Sequence, residues 1–321
     1  MFIAQGLKIR DNRFWKYIIG SIIVIIASGI GQIPWMIAVV VKMLSEKKPL
    51  ELDETTLMSA LDSNLTLFLM LISFAFAMLA FYFVVKYFHK QKFIEVTTSR
   101  KKVDWNRILF SFGLWAIITI VVTVAGYFAS PEKYEVQFQP VPFAILAVIS
   151  ILLIPIQTST EEYIFRGYLM QGFAILSKNK WFPLLMTSSI FGLLHIANPE
   201  VAKIGNIILI YYIGTGLFLG ILTLMDEGME LALGFHAANN LIAALLITSD
   251  WTVFQTHSIL KDNAEPSAGF DVLLPVLVIF PILLFIFSKK YKWNNWKEKL
   301  AGNIPEQQTT DEINELGNQY E

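Results

Sequence analysis

"TSTEEYIFRGYLMQG", residues 158–172, sets two adjacent glutamates and an arginine between apolar stretches: "FAILAVISILLIPI" (143–156) precedes it and "SSIFGLLHIA" (188–197) follows. What a carboxylate costs depends on its solvent. The 321 residues are 55% hydrophobic and only 16% charged, with mean hydropathy +0.55. A soluble domain is roughly 45–50% apolar and carries about 25% charged residues. Both values shift in the direction a lipid solvent demands.

Working outward, eight apolar segments appear: Tyr17–Val41, Leu65–Phe88, Ile108–Ala129, Pro142–Ile156, Trp181–Ala197, Ile204–Met225, Glu230–Thr248 and Asp271–Ser288. Most approach or exceed the ~20 residues needed to cross ~30 Å of hydrocarbon. The fourth and fifth are short and extend through polar flanks or tilt little. The expected fold is all-α and polytopic, with about eight transmembrane helices and no soluble domain. The first segment is too long for a signal-peptide core and is read as retained.

The 25 lysines and arginines nearly balance 26 acids, so no basic excess suggests a nucleic-acid partner. No cysteine is present, which excludes disulfides, thiolate metal sites and a cysteine nucleophile. Basic residues concentrate in the N-terminal arm, the Lys86–Arg107 loop, Lys178 and Lys180, and Lys289–Lys299. The alternate loops are poorer, holding Lys133, Lys203 and Lys261, while the first loop (Lys42, Lys47, Lys48) fits least well. Eight crossings with both termini cytoplasmic satisfy this bias. From residue 303 the chain reads as an exposed polar tail. "GTGLFLG" places Gly216 and Gly220 at a spacing that lets two helix backbones approach closely.

Three polar clusters interrupt the apolar segments: Glu161, Glu162 and Arg166; His195, four residues after Phe191; and His236 with Asn240. An ionisable group inside a span costs about 2.5–3.5 kcal/mol on insertion scales and usually faces a bundle interior. Glu162 and Arg166 are i,i+4 neighbours and can neutralise each other. Glu161 is rotated about 100° from that partner. His236 and Asn240 share a helix face, and Asn239, at i,i+3, is a neighbour too. Pro155, Gln157 and the threonine–serine run suggest a kink or break just before Glu161. Counting 1.5 Å per residue from the basic end puts His236 about 9 Å and His195 about 18 Å deep, which needs a tilted helix or a water cavity.

These parts suit amide hydrolysis, which needs an activated water and a stabiliser for the oxyanion. Glu161 with His195 suits the water, and His236 with Asn240 the oxyanion. A Gly-x-Ser-Gly motif, an intramembrane aspartate pair and a His-Glu-x-x-His helix are all missing from the sequence.

"EEYIFR", "FGLLH" and "HAANN" read E-E-x-x-x-R, F-x-x-x-H and H-x-x-x-N. In this order on successive apolar segments they resemble the CAAX protease and bacteriocin-processing family of intramembrane proteases, also called CPBP or Abi. The resemblance covers roughly residues 140–250. It implies a helical bundle with a catalytic cavity open to the cytoplasm. Glu161 and His195 would activate the water, and His236 and Asn240 would bind the oxyanion. Glu162, Arg166 and Phe191 would support the site. Family members have been called metalloproteases, and Glu161, His195 and His236 have the ligand count of catalytic zinc. A metal-free Glu/His scheme also explains Asn240 and is preferred, so no cofactor is expected.

The chain then divides into residues 1–140 (three spans and loops), 141–250 (catalytic core), 251–290 (last loop and span) and 291–321 (polar cytoplasmic tail). The expected partners are the lipid bilayer and a membrane-associated peptide or protein: a CAAX-type C-terminus, a peptide precursor or a membrane protein cut at the cytoplasmic side. The expected location is a bacterial plasma membrane. The rivals are a non-catalytic partner, such as a bacteriocin-immunity or scaffold protein, and a proton-relaying transporter.

Overall fold

The computed structural model describes residues 1–9, 12–47, 54–266 and 269–304. Most of the expected tail, residues 305–321, lies outside them. The helices are α1 (Phe14–Ser45), α2 (Glu54–Ser59), α3 (Ser63–Phe83), α4 (Trp105–Ala129), α5 (Pro140–Glu162), α6 (Met170–Ser177) and α7 (Trp181–Leu193). They continue with α8 (Pro199–Ile204), α9 (Ile208–Asp226), α10 (Glu230–Leu246), α11 (Phe270–Leu274), α12 (Phe280–Tyr291) and α13 (Trp296–Ala301).

Among the described residues, six helical stretches are long and apolar enough to cross a membrane: Phe14–Ser45, Ser63–Phe88, Trp105–Ala129, Pro140–Ser177, Ile208–Asp226 and Val272–Tyr291. The shorter apolar helices α7 and α10 occupy the fifth and seventh expected segments. The protein is an all-α, multi-pass membrane protein. Its outward faces match: Ile18, Ile22, Ile25, Ile26, Ile33 and Ile37 of α1 are exposed, while Tyr17, Val24, Trp35, Val39 and Met43 on the other face are buried. With lipid as the surrounding solvent, that apolar belt needs no cover.

The fourth segment departs from expectation. α5 runs through Pro155 without a break, and Thr158 Oγ1 donates to the Ile154 carbonyl (3.0 Å). The irregularity comes later, as a π-helical turn over Tyr163–Leu169 that carries the chain into α6. Such turns are frequent at functional sites. The fifth segment stops early: α7 ends at Leu193, so His195 lies in the turn beyond it.

Glycines set the closest helix approaches. A Cβ on Gly216 of α9 would lie 2.9 Å from the Ser188 carbonyl oxygen of α7, and one on Gly220 would meet Leu184 at 2.5 Å. The small-residue spacing therefore seats α9 on α7. Gly31 brings α1 onto α3 in the same way, 2.7 Å from Ser73 Cα.

The connecting segments gather at two poles. At one, Gln5 Nε2 donates to the Thr98 carbonyl (2.7 Å), Arg100 pairs with Asp226 and Glu230 (3.0 Å each), and Lys180 N donates to the Gly302 carbonyl (3.1 Å). The N-terminal arm, the 86–107 loop, residues 178–180 and residues 292–304 thus share one lysine-rich end. At the other pole β1 (Tyr134–Val136), β2 (Ile247–Thr248) and β3 (Leu260–Asp262) form a small sheet in the order β1-β3-β2, antiparallel then parallel. Its strands are two or three residues long, too short to leave a period-2 signal in the sequence.

Candidate active site

α3, α5, α9 and α10 surround a cavity of about 520 Å³ with α1 at its flank. Glu161, His195 and Asn240 all line it, together with Gln157, Asn239 and Tyr212. Three of the four expected catalytic side chains therefore meet on one surface. His236 does not line it. It is buried behind Glu161 on α10, one turn before Asn240.

A one-way chain of hydrogen bonds orients the acid. Trp115 Nε1 donates to Asn239 Oδ1 (3.1 Å), Asn239 Nδ2 to Asn240 Oδ1 (3.0 Å), Asn240 Nδ2 to Gln157 Oε1 (3.1 Å), and Gln157 Nε2 to Glu161 Oε1 (2.6 Å). The indole N–H only donates and an ionised carboxylate only accepts, so the two ends force the direction of every amide between them. Asn240 spends one N–H on Gln157 and keeps a second for another acceptor.

A buried layer lies on the other side of Glu161. Glu162 and Arg166 are fully buried, with Arg166 Nη1 on Glu162 Oε1 at 3.0 Å. Arg166 Nη2 donates to the Gly216 carbonyl (3.0 Å), and the guanidinium sits 4.6 Å over the Phe191 ring. His236 Nδ1 lies 2.8 Å from the same Glu162 oxygen, and its Nε2 lies 3.6 Å from Glu161 Oε2. Since a carboxylate accepts, His236 carries its proton on Nδ1 and turns its second nitrogen towards Glu161. Glu161 itself is 17% exposed where Glu162 is 0%. The two adjacent glutamates thus face different surroundings, one the cavity and the other the closed layer.

His195 is placed by two contacts. Its Nδ1 donates to the Phe191 carbonyl (2.7 Å), which leaves Nε2 as the acceptor of the neutral ring, and the ring stacks on Tyr212 (4.4 Å, 21°). Phe191 is buried between the two imidazoles, 4.9 Å from His195 and 6.0 Å from His236. It joins the site from inside, packed against both rings. No direct hydrogen bond links His195 to Glu161 across the cavity wall.

The alternative to a metal-free site is zinc held by Glu161, His195 and His236. Among the described residues no group of three or more histidine and carboxylate side chains is placed to hold a metal. His236 Nδ1 faces Glu162 and His195 Nδ1 a carbonyl, which leaves Nε2 of each ring as the nitrogen open to another partner.

The cavity runs from Glu161 away from the lysine-rich pole that gathers the termini. It reaches the sheet pole, where Glu200, Ser249, Trp251–Phe254 and Asp262 line it, and no described residue of the lysine-rich pole does. The reason is steric. The Glu162–Arg166–His236 layer, and beyond it the Arg100–Asp226–Glu230 cluster, fill the lysine-rich side.

Gln157, Trp115 and Tyr212 escaped assignment from the sequence, and Asn239 was legible there only as a neighbour of His236. Gln157 had a readable signal, lying i,i+4 before Glu161, yet it reads equally as part of a helix break. Trp115 and Tyr212 arrive from α4 and α9, where nothing local marks them.

Residues 140–242 match the family model described as type II CAAX prenyl endopeptidase Rce1-like. The uncharacterized protein YyaK of Bacillus subtilis (strain 168) is 31% identical over 288 residues, covering 88% of this chain and 95% of its own. No solved structure matches. The matched region is the part of the chain that carries Glu161, His195, His236 and Asn240, and the relative extends the likeness over nearly the whole length. The chain belongs to the type II CAAX prenyl endopeptidase Rce1-like family, a family of membrane proteases.

Proposed function

We propose that the protein is an intramembrane endopeptidase that hydrolyses a peptide bond of a membrane-associated substrate with water activated by Glu161 and His195. The observation that carries this reading is the shared cavity wall. A carboxylate, an imidazole with a free Nε2 and an amide with a spare N–H face one space able to hold a peptide.

Glu161, held by Gln157, takes a proton from the water as it attacks the scissile carbonyl. His195 Nε2 accepts the water's other hydrogen and fixes its position between the two groups. The spare Asn240 N–H donates to the oxyanion as charge develops there. Protonated Glu161 then returns its proton to the leaving amine, which breaks the C–N bond. His236 couples Glu161 to the Glu162–Arg166 pair and keeps the carboxylate from swinging back into the layer. This gives His236 a positioning task beside Asn240 rather than an oxyanion bond of its own.

The test is cleavage of a panel of membrane-inserted peptides by the purified protein in ¹⁸O-labelled water. One ¹⁸O should enter the new carboxyl terminus, and His195→Ala should slow its appearance. Peptides that bind with no product formed would favour the non-catalytic partner instead.

A further inference from the structure

We propose that the groove between the first turns of α3 and α5 binds one phospholipid with a primary-ammonium headgroup. The ammonium sits on Asp62 and Asn64, and the upper part of one acyl chain lies against Leu65, Phe68 and Ile145. The groove shares no lining residue with the cavity that holds Glu161, and the proposal does not depend on the peptidase reading.

The place suits a lipid. α3 and α5 pack along each other, and near their starts they leave a groove of about 350 Å³ that His257 also lines. Ligand sites are mostly apolar clefts of about 300–1,000 Å³ with a few polar groups, so the volume falls within range. Leu65, Phe68 and Ile145 line the groove and are exposed on two helical stretches long and apolar enough to cross a membrane. Around such residues the solvent is acyl chain. Asp62 directly precedes the Ser63–Phe88 stretch, so the polar end of the groove lies where hydrocarbon gives way to headgroups.

The polar end asks for N–H donors and positive charge. Asp62 Oδ1 caps α3 by accepting from Asn64 N (3.0 Å) and Leu65 N (3.2 Å), while Oδ2 faces His257 Nε2 at 3.3 Å. Partial burial works against ionisation of this carboxyl, but the bonds from His257 and the two backbone N–H groups outweigh it and hold the pKa below its ordinary value. An ionised carboxylate offers about four acceptor sites, and three are taken. Asn64, only 6% exposed, supplies a second acceptor. Its Nδ2 donates to the Pro142 carbonyl (3.0 Å), which fixes the amide's orientation, and its Oδ1 finds no donor among the described residues. A buried acceptor left unmatched carries a desolvation cost that a bound donor would relieve.

These acceptors select among headgroups. A primary ammonium brings one positive charge and three N–H donors, enough for the Asp62 carboxylate and the Asn64 amide oxygen together. A quaternary ammonium has the charge but no N–H to give. An anionic headgroup meets the carboxylate with like charge.

The test uses the full chain in detergent micelles with phosphatidylethanolamine that carries a photoactivatable diazirine on its acyl chain. Illumination should label residues 65–68 and 142–149. Excess unlabelled phosphatidylethanolamine should compete, whereas phosphatidylcholine and phosphatidylglycerol should not. Asp62→Asn keeps a good helix cap but replaces a charged acceptor with a neutral one, so labelling should fall about five- to tenfold. Its melting temperature without added lipid should stay near the parent's. Asp250→Asn, an acid of the same pole outside the groove, should label like the parent. Equal competition by phosphatidylcholine or phosphatidylglycerol would overturn the proposal, and needs no variant to fold. So would labelling spread evenly over the exposed faces of α1 and α4, or full labelling of a folded Asp62→Asn protein.

Discussion

Glu162→Gln separates the two tasks of the buried layer. Glu162 Oε1 accepts from Arg166 Nη1 at 3.0 Å and pairs with His236 Nδ1 at 2.8 Å, and both members of the ion pair are fully buried. Glutamine keeps the shape but not the charge, so the guanidinium remains where no water reaches it. A hydrogen bond to a charged group contributes about 1.5–3 kcal/mol, against about 0.5–1.5 for a neutral one. Downgrading two such bonds costs about 2 kcal/mol, and the stranded charge raises the total towards the ~3–5 kcal/mol typical of a broken buried pair. That is a large share of a folding stability of about 5–15 kcal/mol.

The second charge gives the control. Glu162 Oε2 and Arg166 Nε find no partner among the described residues, so the pair is imperfectly satisfied and removing both charges costs less than removing one. Glu162→Gln combined with Arg166→Met should therefore recover most of the lost stability. It should not recover activity, because His236 still lacks its carboxylate. The assay is unfolding of parent, single and double variants in one detergent, with cleavage rates from the same preparations. A single variant as stable as the parent, or a double variant no more stable than the single, would refute the reasoning.

Trp115→Phe removes the donor that starts the amide chain and frees Asn239 and Asn240 to reorient. The loss of one neutral hydrogen bond, about 0.5–1.5 kcal/mol, should lower kcat about three- to tenfold with little change in KM. An unchanged kcat would remove the chain from the mechanism. Gly216→Ala drives a Cβ to 2.9 Å from the Ser188 carbonyl oxygen and should destabilise by about 1–3 kcal/mol, whereas Gly113→Ala, with nothing within 4 Å, should be neutral or stabilising. Equal thermal stability of the two variants would contradict the tight α7–α9 contact. Treatment with strong chelators should leave cleavage largely intact. Complete loss restored by one added metal would bring Glu161, His195 and His236 back as ligands.

The periodicity of cost in lipid made the helices legible. A run of apolar residues long enough to span has few other destinations, and each of the eight segments is a helix in the structure. The polar clusters were legible for the same reason, since a charge in a span needs a partner nearby. Glu162 and Arg166 carried theirs at i,i+4 in the sequence itself. The rest depends on contacts between helices that no local spacing encodes. His236 turning to Glu162 instead of the cavity, Tyr212 stacking on His195, and the amide chain from Trp115 are set by how α4, α9 and α10 meet α5 and the end of α7. The direction of the cavity is of that kind too. Sequence counting measured depth from one end of each helix, but which end is closed is decided by the packing of Arg166 and its neighbours.

In the proposed hydrolysis Glu161 is the general base, and matched turnover of Glu161→Gln tests that role most directly. The substitution keeps shape and a hydrogen-bonding amide beside Gln157 and removes only the carboxylate. Parent and variant are reconstituted in the same lipid, and cleavage rate, peptide affinity and folded yield are read side by side. The rate should fall about 10²–10⁴-fold, with affinity and yield near those of the parent. A well-folded Glu161→Gln protein that cleaves at the parent's rate would contradict it.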